Sequence, residues 1–192
     1  MTIDPSAPSG GLALVGSRGT GKSTVGQILA DRLGLRFTDS DREIEAAEGQ
    51  PIRAIFVARG EPGFRAIEAR VIAGLADRPA SGVVATGGGS VLDEGNRRAI
   101  RRFGFVAWLA ADPDTLADRL ARSDNGVADR PPLTSAGTLA EIADVLAARA
   151  PLYREVADAV IETAGRTVDQ VADLVLGAWS RHQHGTDRGR PR

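Results

Sequence analysis

At 192 residues and 42% apolar composition, the chain is long enough to bury one α/β core and too short for two comfortable domains. Its net charge is −1 with both signs interleaved throughout, so no basic nucleic-acid face or acidic tail is announced, and neither polymer nor membrane binding is expected. The absence of cysteine excludes disulfides, thiolate metal sites and cysteine nucleophiles, and the only histidines, His182 and His184, lie in a polar tail, which argues against a zinc enzyme.

Met1 to Gly10 is a Pro/Ser/Gly lead-in, expected to be loose and to take no part in chemistry. It carries an acid and prolines where a signal peptide would have a basic region and an apolar core, and no run approaches the length of a membrane span. A soluble cytoplasmic protein is the expectation.

Leu12 to Val15 reads as a buried strand, and Thr24 to Leu33 repeats apolar residues at Val25, Ile28, Leu29 and Leu33, a helical spacing. Between them Gly16-Ser17-Arg18-Gly19-Thr20-Gly21-Lys22-Ser23 fits G-x-x-x-x-G-K-[ST] at every fixed position. Strand, loop, helix is the order a nucleotide phosphate loop requires. The glycines let successive N–H groups turn toward phosphate oxygens at the positive end of the following helix. Lys22 is expected to reach the β and γ phosphates, and Ser23 to offer its hydroxyl to Mg²⁺. Of 24 cationic residues Lys22 is the only lysine; a compact ammonium fits inside the loop where a planar guanidinium is too broad.

Leu35 to Thr38 reads as a second strand, and Asp39-Ser40-Asp41 follows it directly. Two carboxylates two apart in extended chain point the same way, so one can face Mg²⁺ while the other reaches a bound hydroxyl. A helix N-cap with a first-turn acid accounts for the same letters. Pro51 opens a helical segment with Ile52, Ile55 and Phe56 inward, and Pro62 another with Phe64, Ile67, Val71, Ile72 and Leu75 on one stripe. Arg65 in that second segment stands three residues before Glu68, so an intrahelical pair would explain it as well as a ligand would.

Gly82 to Thr86 is the third strand, and Gly87-Gly88-Gly89 after it strips the floor of side chains, permitting close approach by a ligand. The acidic metal ligand usual at the end of this strand is absent, which leaves Asp39 to supply the carboxylate. Phe105 to Leu109 is the fourth strand, with Asp112-Pro113 as an N-cap and first-turn proline behind it. Arg122 to Leu133 is polar, with Gly and two prolines, and reads as a mobile lid that would exclude water from the phosphates. Thr138 to Glu141 matches a capping box whose helix Pro151 should bend or end. Ala159 to Glu162 is the fifth strand, and Thr167 caps a last helix with the stripe Val171, Leu174, Val175 and Ala178. Strands alternating with helices predict a single α/β domain over residues 11–180: a five-stranded parallel sheet with helices on both faces, a lid near 122–133 and a flexible tail from 181 to 192. With no second lysine the N-K-x-D guanine signature cannot exist, so adenine is the expected base.

Taken together, GSRGTGKST, the TDSD after strand two, GEPGFRAIE, the triple glycine, the DRP in the lid and ARAPLYREVA resemble the shikimate kinases, a family of P-loop small-molecule kinases. The resemblance runs from about Gly11 to Leu176 and implies ATP-dependent phosphorylation of the 3-hydroxyl of shikimate, with Mg²⁺, by a monomer. It implies that Asp41, Arg65, Gly88 and Arg149 hold shikimate, with Gly87 and Gly89 beside them, and that Phe56, Phe64 and Glu68 line the pocket. The two arginines would clamp the carboxylate in two-point fashion and Asp41 would pair with the diol and take the hydroxyl proton. Gly19, Thr20, Gly21, Lys22, Ser23 and Thr24 would bind ATP, Arg130 would come down on the moving phosphoryl group, and Ser23 and Asp39 would serve the metal. Where the family pattern has a proline against adenine this chain has Gly165-Arg166-Thr167, so Arg122 and Arg166 are the residues expected over the base. Ala85 stands where some relatives carry a serine that orders the metal's waters, and the lid is one residue longer. Two other readings remain open: a gluconate kinase-like polyol kinase, and a nucleotide-binding switch without transfer activity.

Overall fold

In the computed structural model, which describes residues 10–78, 82–122 and 139–187, the five apolar runs form parallel strands: β1 (Gly11–Val15), β2 (Phe37–Asp39), β3 (Gly82–Ala85), β4 (Gly104–Ala110) and β5 (Ala159–Glu162). They lie in the order β2-β3-β1-β4-β5. β2 begins later than its apolar run because Gly34, left-handed at φ 63°, closes the preceding helix, and the Leu35 N–H bonds back to Ala30 O at 2.9 Å.

Helices α1 (Lys22–Leu33), α2 (Ser40–Glu48), α3 (Ile52–Ala76), α4 (Glu94–Phe103), α5 (Pro113–Arg122), α6 (Leu139–Val156) and α7 (Val168–Asp187) fill the connections, with a 3₁₀ turn at Ser90–Leu92. Side chains alternate across a strand, so the central strands β1, β3 and β4 feed two cores. Leu12, Leu14, Val83, Ala107, Leu109 and Ile161 pack with Val25 and Leu29 of α1 and Val171, Val175 and Trp179 of α7. On the other face Ala13, Val15, Val84, Val106 and Trp108 meet Ile72 and Leu75 of α3, Ile100 of α4 and Tyr153 of α6. A third cluster, Ile44, Ile52, Ile55, Phe64 and Ile67, joins α2 to α3 beyond the edge of the sheet. The sheet is therefore covered on both faces, as expected.

The two segments opening at Pro51 and Pro62 run into one helix, α3, broken at Gly60. Gly60 sits at φ 65°, ψ −178°, a conformation open in practice to glycine alone, and Pro62 then falls in the first turn of the second half. α6 does not end at Pro151 but continues to Val156. The stripe of α7 differs from expectation: Leu174 is exposed, and the buried row is Val171, Val175 and Trp179, four residues apart. α7 also runs on through Asp187, past the boundary expected at 180. The Asp39 and Asp41 carboxylates do not share one extended strand, because α2 starts at Ser40.

With β1 between β3 and β4, the carboxyl ends of β1, β2 and β3 open at one edge, where an open α/β sheet keeps its ligands. The phosphate loop, Asp39-Ser40-Asp41 and the triple glycine are the three segments that leave those ends. Among the described residues no helix is long and apolar enough to cross a membrane.

Candidate active site

The loop after β1 takes its shape from glycines with positive φ, Gly16 at 141°, Gly19 at 85° and Gly21 at 87°. Gly21 caps α1 without a side-chain hydrogen bond, so the first N–H groups of that helix keep their pull on an anion. Ser17 O gathers Lys22 Nζ at 2.8 Å, Thr20 Oγ1 at 2.9 Å and the Thr20 N–H at 3.4 Å. The Lys22 ammonium thus lies back over the loop it belongs to. Ser23 and Thr24 follow on the exposed first turn of α1.

Asp39 forms the helix cap that its sequence position allowed, and its second oxygen reaches the phosphate loop. Oδ1 accepts from the Asp41 N–H at 2.9 Å as the N-cap of α2, and Oδ2 accepts from Ser23 Oγ at 2.6 Å. One carboxylate therefore joins the helix start to the phosphate loop. Ser40, wholly buried between the two aspartates, accepts from the Gly87 N–H at 3.0 Å and ties the end of β2 to the triple glycine. Sequence reasoning passed over Ser40; its place inside the capping motif was the available signal.

The three glycines have three different neighbours. A methyl on Gly87 would lie 2.8 Å from Asp41 Oδ1 and 3.0 Å from Glu68 Oε1. On Gly88 it would lie 3.2 Å from the Arg18 N, against the phosphate loop itself. On Gly89 it would lie 2.6 Å from both terminal nitrogens of Arg65. Asp41, Glu68 and Arg65 converge over this bare floor, and the floor abuts the loop that grips phosphate.

Arg65 donates through Nη1 to Glu68 Oε2 at 2.7 Å and through Nη2 to Glu61 Oε1 at 3.1 Å. Glu68 is 1% exposed, so this pair is a deep one. Burial works to lower the Arg65 pKa, but attraction and hydrogen bonding to Glu68, with Glu61 added, outweigh it and hold the guanidinium above its ordinary value. The expected intrahelical pair is thus formed, and it aims the guanidinium at Gly89. Phe56 and Phe64 stack at 4.5 Å beside it, and the Arg65 guanidinium also lies 5.3 Å from the Phe64 ring centre.

Arg149 donates to Gly88 O at 3.3 Å, and Tyr153, one turn further along α6, donates its hydroxyl to the same oxygen. Gly88 therefore turns its carbonyl toward α6. Tyr153 is wholly buried and stacks on Trp108 at 5.6 Å. Burial pushes its phenol up to about 12, against the opposing pull of Arg149. The sequence signal for Tyr153 was its spacing of four from Arg149.

On the nucleotide side, Arg119 of α5 donates to Gly19 O at 3.2 Å, Thr163 Oγ1 at 2.9 Å and Thr163 O at 2.7 Å. It too was missed, although it shares a helical face with Leu116 and Leu120. Arg166 donates to Glu162 O at 2.9 Å at the end of β5, beside a depression lined by Ala164, Gly165, Gln170, Asp173 and Leu174. Arg122 extends from the last turn of α5, 83% exposed and 3.9 Å from Asp118. Arg130 and the rest of the expected lid lie outside the described residues.

A family model described as shikimate kinase matches residues 18–179. A shikimate kinase of Symbiobacterium thermophilum is 45% identical over 91% of this chain and 99% of its own length. One of Pseudomonas syringae is 49% identical over 86% of this chain and 93% of its own. Among solved structures, a shikimate kinase of Acinetobacter baumannii in complex with shikimate superposes with a TM-score of 0.83 at 38% identity, covering 92% of this chain and 95% of that one.

Proposed function

The chain belongs to the shikimate kinase family, ATP-dependent enzymes that phosphorylate shikimate, and we propose that its own residues carry out that transfer as follows. The observation that carries the reading is the abutment of two unlike sites. Asp41, Glu68 and Arg65 converge over Gly87–Gly89, and Gly88 rests against the phosphate loop at Arg18. A small polyol acid held over the glycines then presents a hydroxyl to a phosphate held by the loop.

Gly19, Thr20, Gly21, Lys22, Ser23 and Thr24 hold the phosphates of ATP, and Arg122 and Arg166 lie over its base. Shikimate binds with its carboxylate between Arg65 and Arg149, whose planar forks match it in two-point fashion, and its hydroxyls toward Asp41. Glu68 holds Arg65 in place, and Phe56 and Phe64 wall the pocket. The 3-hydroxyl oxygen bonds to the γ-phosphorus as the bond from that phosphorus to the β–γ bridging oxygen breaks. The hydroxyl proton passes to Asp41, and ADP leaves. Such transfer asks little of a base and much of alignment and charge neutralisation, which Lys22 supplies from the loop and Arg130 from residues 122–133.

Ser23 Oγ and Asp39 Oδ2, 2.6 Å apart, are hard oxygen donors of the kind that would hold Mg²⁺ together with phosphate and water. When bound, the ion neutralises charge on the phosphates. ATP as donor supports work in the cytoplasm, by the monomer that the family resemblance implies.

The test is a coupled ADP-release assay of the purified protein with MgATP against shikimate, gluconate and no acceptor. Turnover that appears with shikimate and stays at background with the other two is expected. Release that does not respond to shikimate overturns the reading.

A further inference from the structure

The turn that begins the nucleotide site is held from behind. Leu116, wholly buried, Arg119 and Leu120 occupy one face of α5, and a methyl on Gly19 would lie 3.4 Å from Leu120 Cγ and 3.5 Å from Leu116 Cδ2. The phosphate loop therefore rests directly on this helix. From the same face the Arg119 guanidinium reaches both Gly19 O in the loop after β1 and the hydroxyl and carbonyl of Thr163 after β5. Thr163 is itself fixed: it is 1% exposed, and its N–H bonds to Ala110 O at 2.8 Å, continuing the sheet ladder.

We infer that Arg119 is a positioning residue for the nucleotide, setting the Gly19–Thr20 peptide of the phosphate loop against the rigid end of β5. The peptide group is planar, so a donor that fixes the Gly19 carbonyl also fixes the direction of the Thr20 N–H on its far side. A guanidinium suits this role because its donors are locked in one plane. It sets an angle between the two loops, where an ammonium would set only a distance. The residues over the triple glycine come instead from α2, α3 and α6, where Arg65 pairs with Glu61 and Glu68 and Arg149 bonds Gly88 O. The device thus acts on the ATP side and leaves the shikimate side alone.

This rests on the shikimate kinase reading, and the experiment separates the two. ADP and shikimate are titrated calorimetrically, each alone, into wild type, R119M, R119K and T163V, and KM for ATP, KM for shikimate and kcat are measured for each. R119M keeps most of the unbranched apolar stem and removes the guanidinium donors. Its ADP Kd and ATP KM are expected to rise about tenfold or more, with shikimate Kd within about twofold of wild type. R119K and T163V are expected to move the same way by less. R119M/T163V is expected to be little worse than R119M alone, since the two groups share bonds. Should R119M not fold, R119K and T163V carry the same nucleotide-selective expectation. Equal weakening of both ligands, or of neither, overturns the inference. A wild type that binds no ADP or leaves shikimate unphosphorylated overturns the reading beneath it.

Discussion

Replacing Gly89 by alanine tests the substrate side of the site with a single methyl group. Gly89 sits at φ −97°, ψ −3°, which any residue adopts, so alanine adds no backbone strain there. What it adds is a carbon 2.6 Å from both terminal nitrogens of Arg65, and the guanidinium must retreat by about 0.8 Å to restore a 3.4 Å contact. The retreat spoils the Arg65–Glu68 hydrogen bond of 2.7 Å and moves the fork away from the space over the glycines. A hydrogen bond to a charged group contributes roughly 1.5–3 kcal/mol, so losing one such bond to the shikimate carboxylate corresponds to about a 10- to 150-fold rise in shikimate KM. ATP KM is expected to stay within about twofold, because Gly89 and Arg65 lie on the acceptor side. Steady-state kinetics with each substrate varied in turn, together with a thermal melt to verify folding, measures this. A G89A enzyme with unchanged shikimate KM, or with both KM values raised alike, would falsify the placement of Arg65 under the acceptor.

The other substitutions probe separate groups. K22M removes the one ammonium in the phosphate loop and is expected to lower kcat by about 100-fold or more while shikimate Kd hardly changes; a loss confined to substrate affinity contradicts that role. D39N keeps an N-cap of equal quality for α2 but drops the charge facing Ser23, so the Mg²⁺ needed for half-maximal rate should rise about tenfold with little change in melting temperature. A large melting shift without a changed Mg²⁺ requirement would make Asp39 purely a helix cap. Tyr153 gives a pH signature: its phenol is held at about 12 in the fold against 10.0 in the unfolded chain. A raised folded value means the stabilisation is whole below pH 10 and is lost as pH climbs through 12. Between pH 9 and pH 11 wild type should therefore lose about 1–1.5 kcal/mol relative to Y153F. Parallel stability curves for the two proteins would show that the phenol ionises as freely in the fold as out of it.

What could be read from the letters alone is what neighbours in the chain decide. The phosphate loop is legible because a strand, three glycines, a lysine and a helix start act on each other within a dozen or so residues, and backbone sterics leave such a run few conformations. The strands and their double-sided cover follow from apolar runs alternating with helical stripes. At Asp39 and Arg65 the sequence offered two readings each, and folding realised the local one: Asp39 caps α2 while also bonding Ser23, and Arg65 pairs with Glu68 while also lying against Gly89. The contacts that assemble the site were not legible. Ser40 to Gly87 spans 47 residues, Tyr153 to Gly88 spans 65 and Arg119 to Gly19 spans 100. No local propensity marks one serine or arginine among many, or the single tyrosine, as the partner of a distant backbone group. Only the strand order β2-β3-β1-β4-β5, which sets the loops after β1, β2 and β3 side by side and α5 and α6 behind them, decides which groups meet.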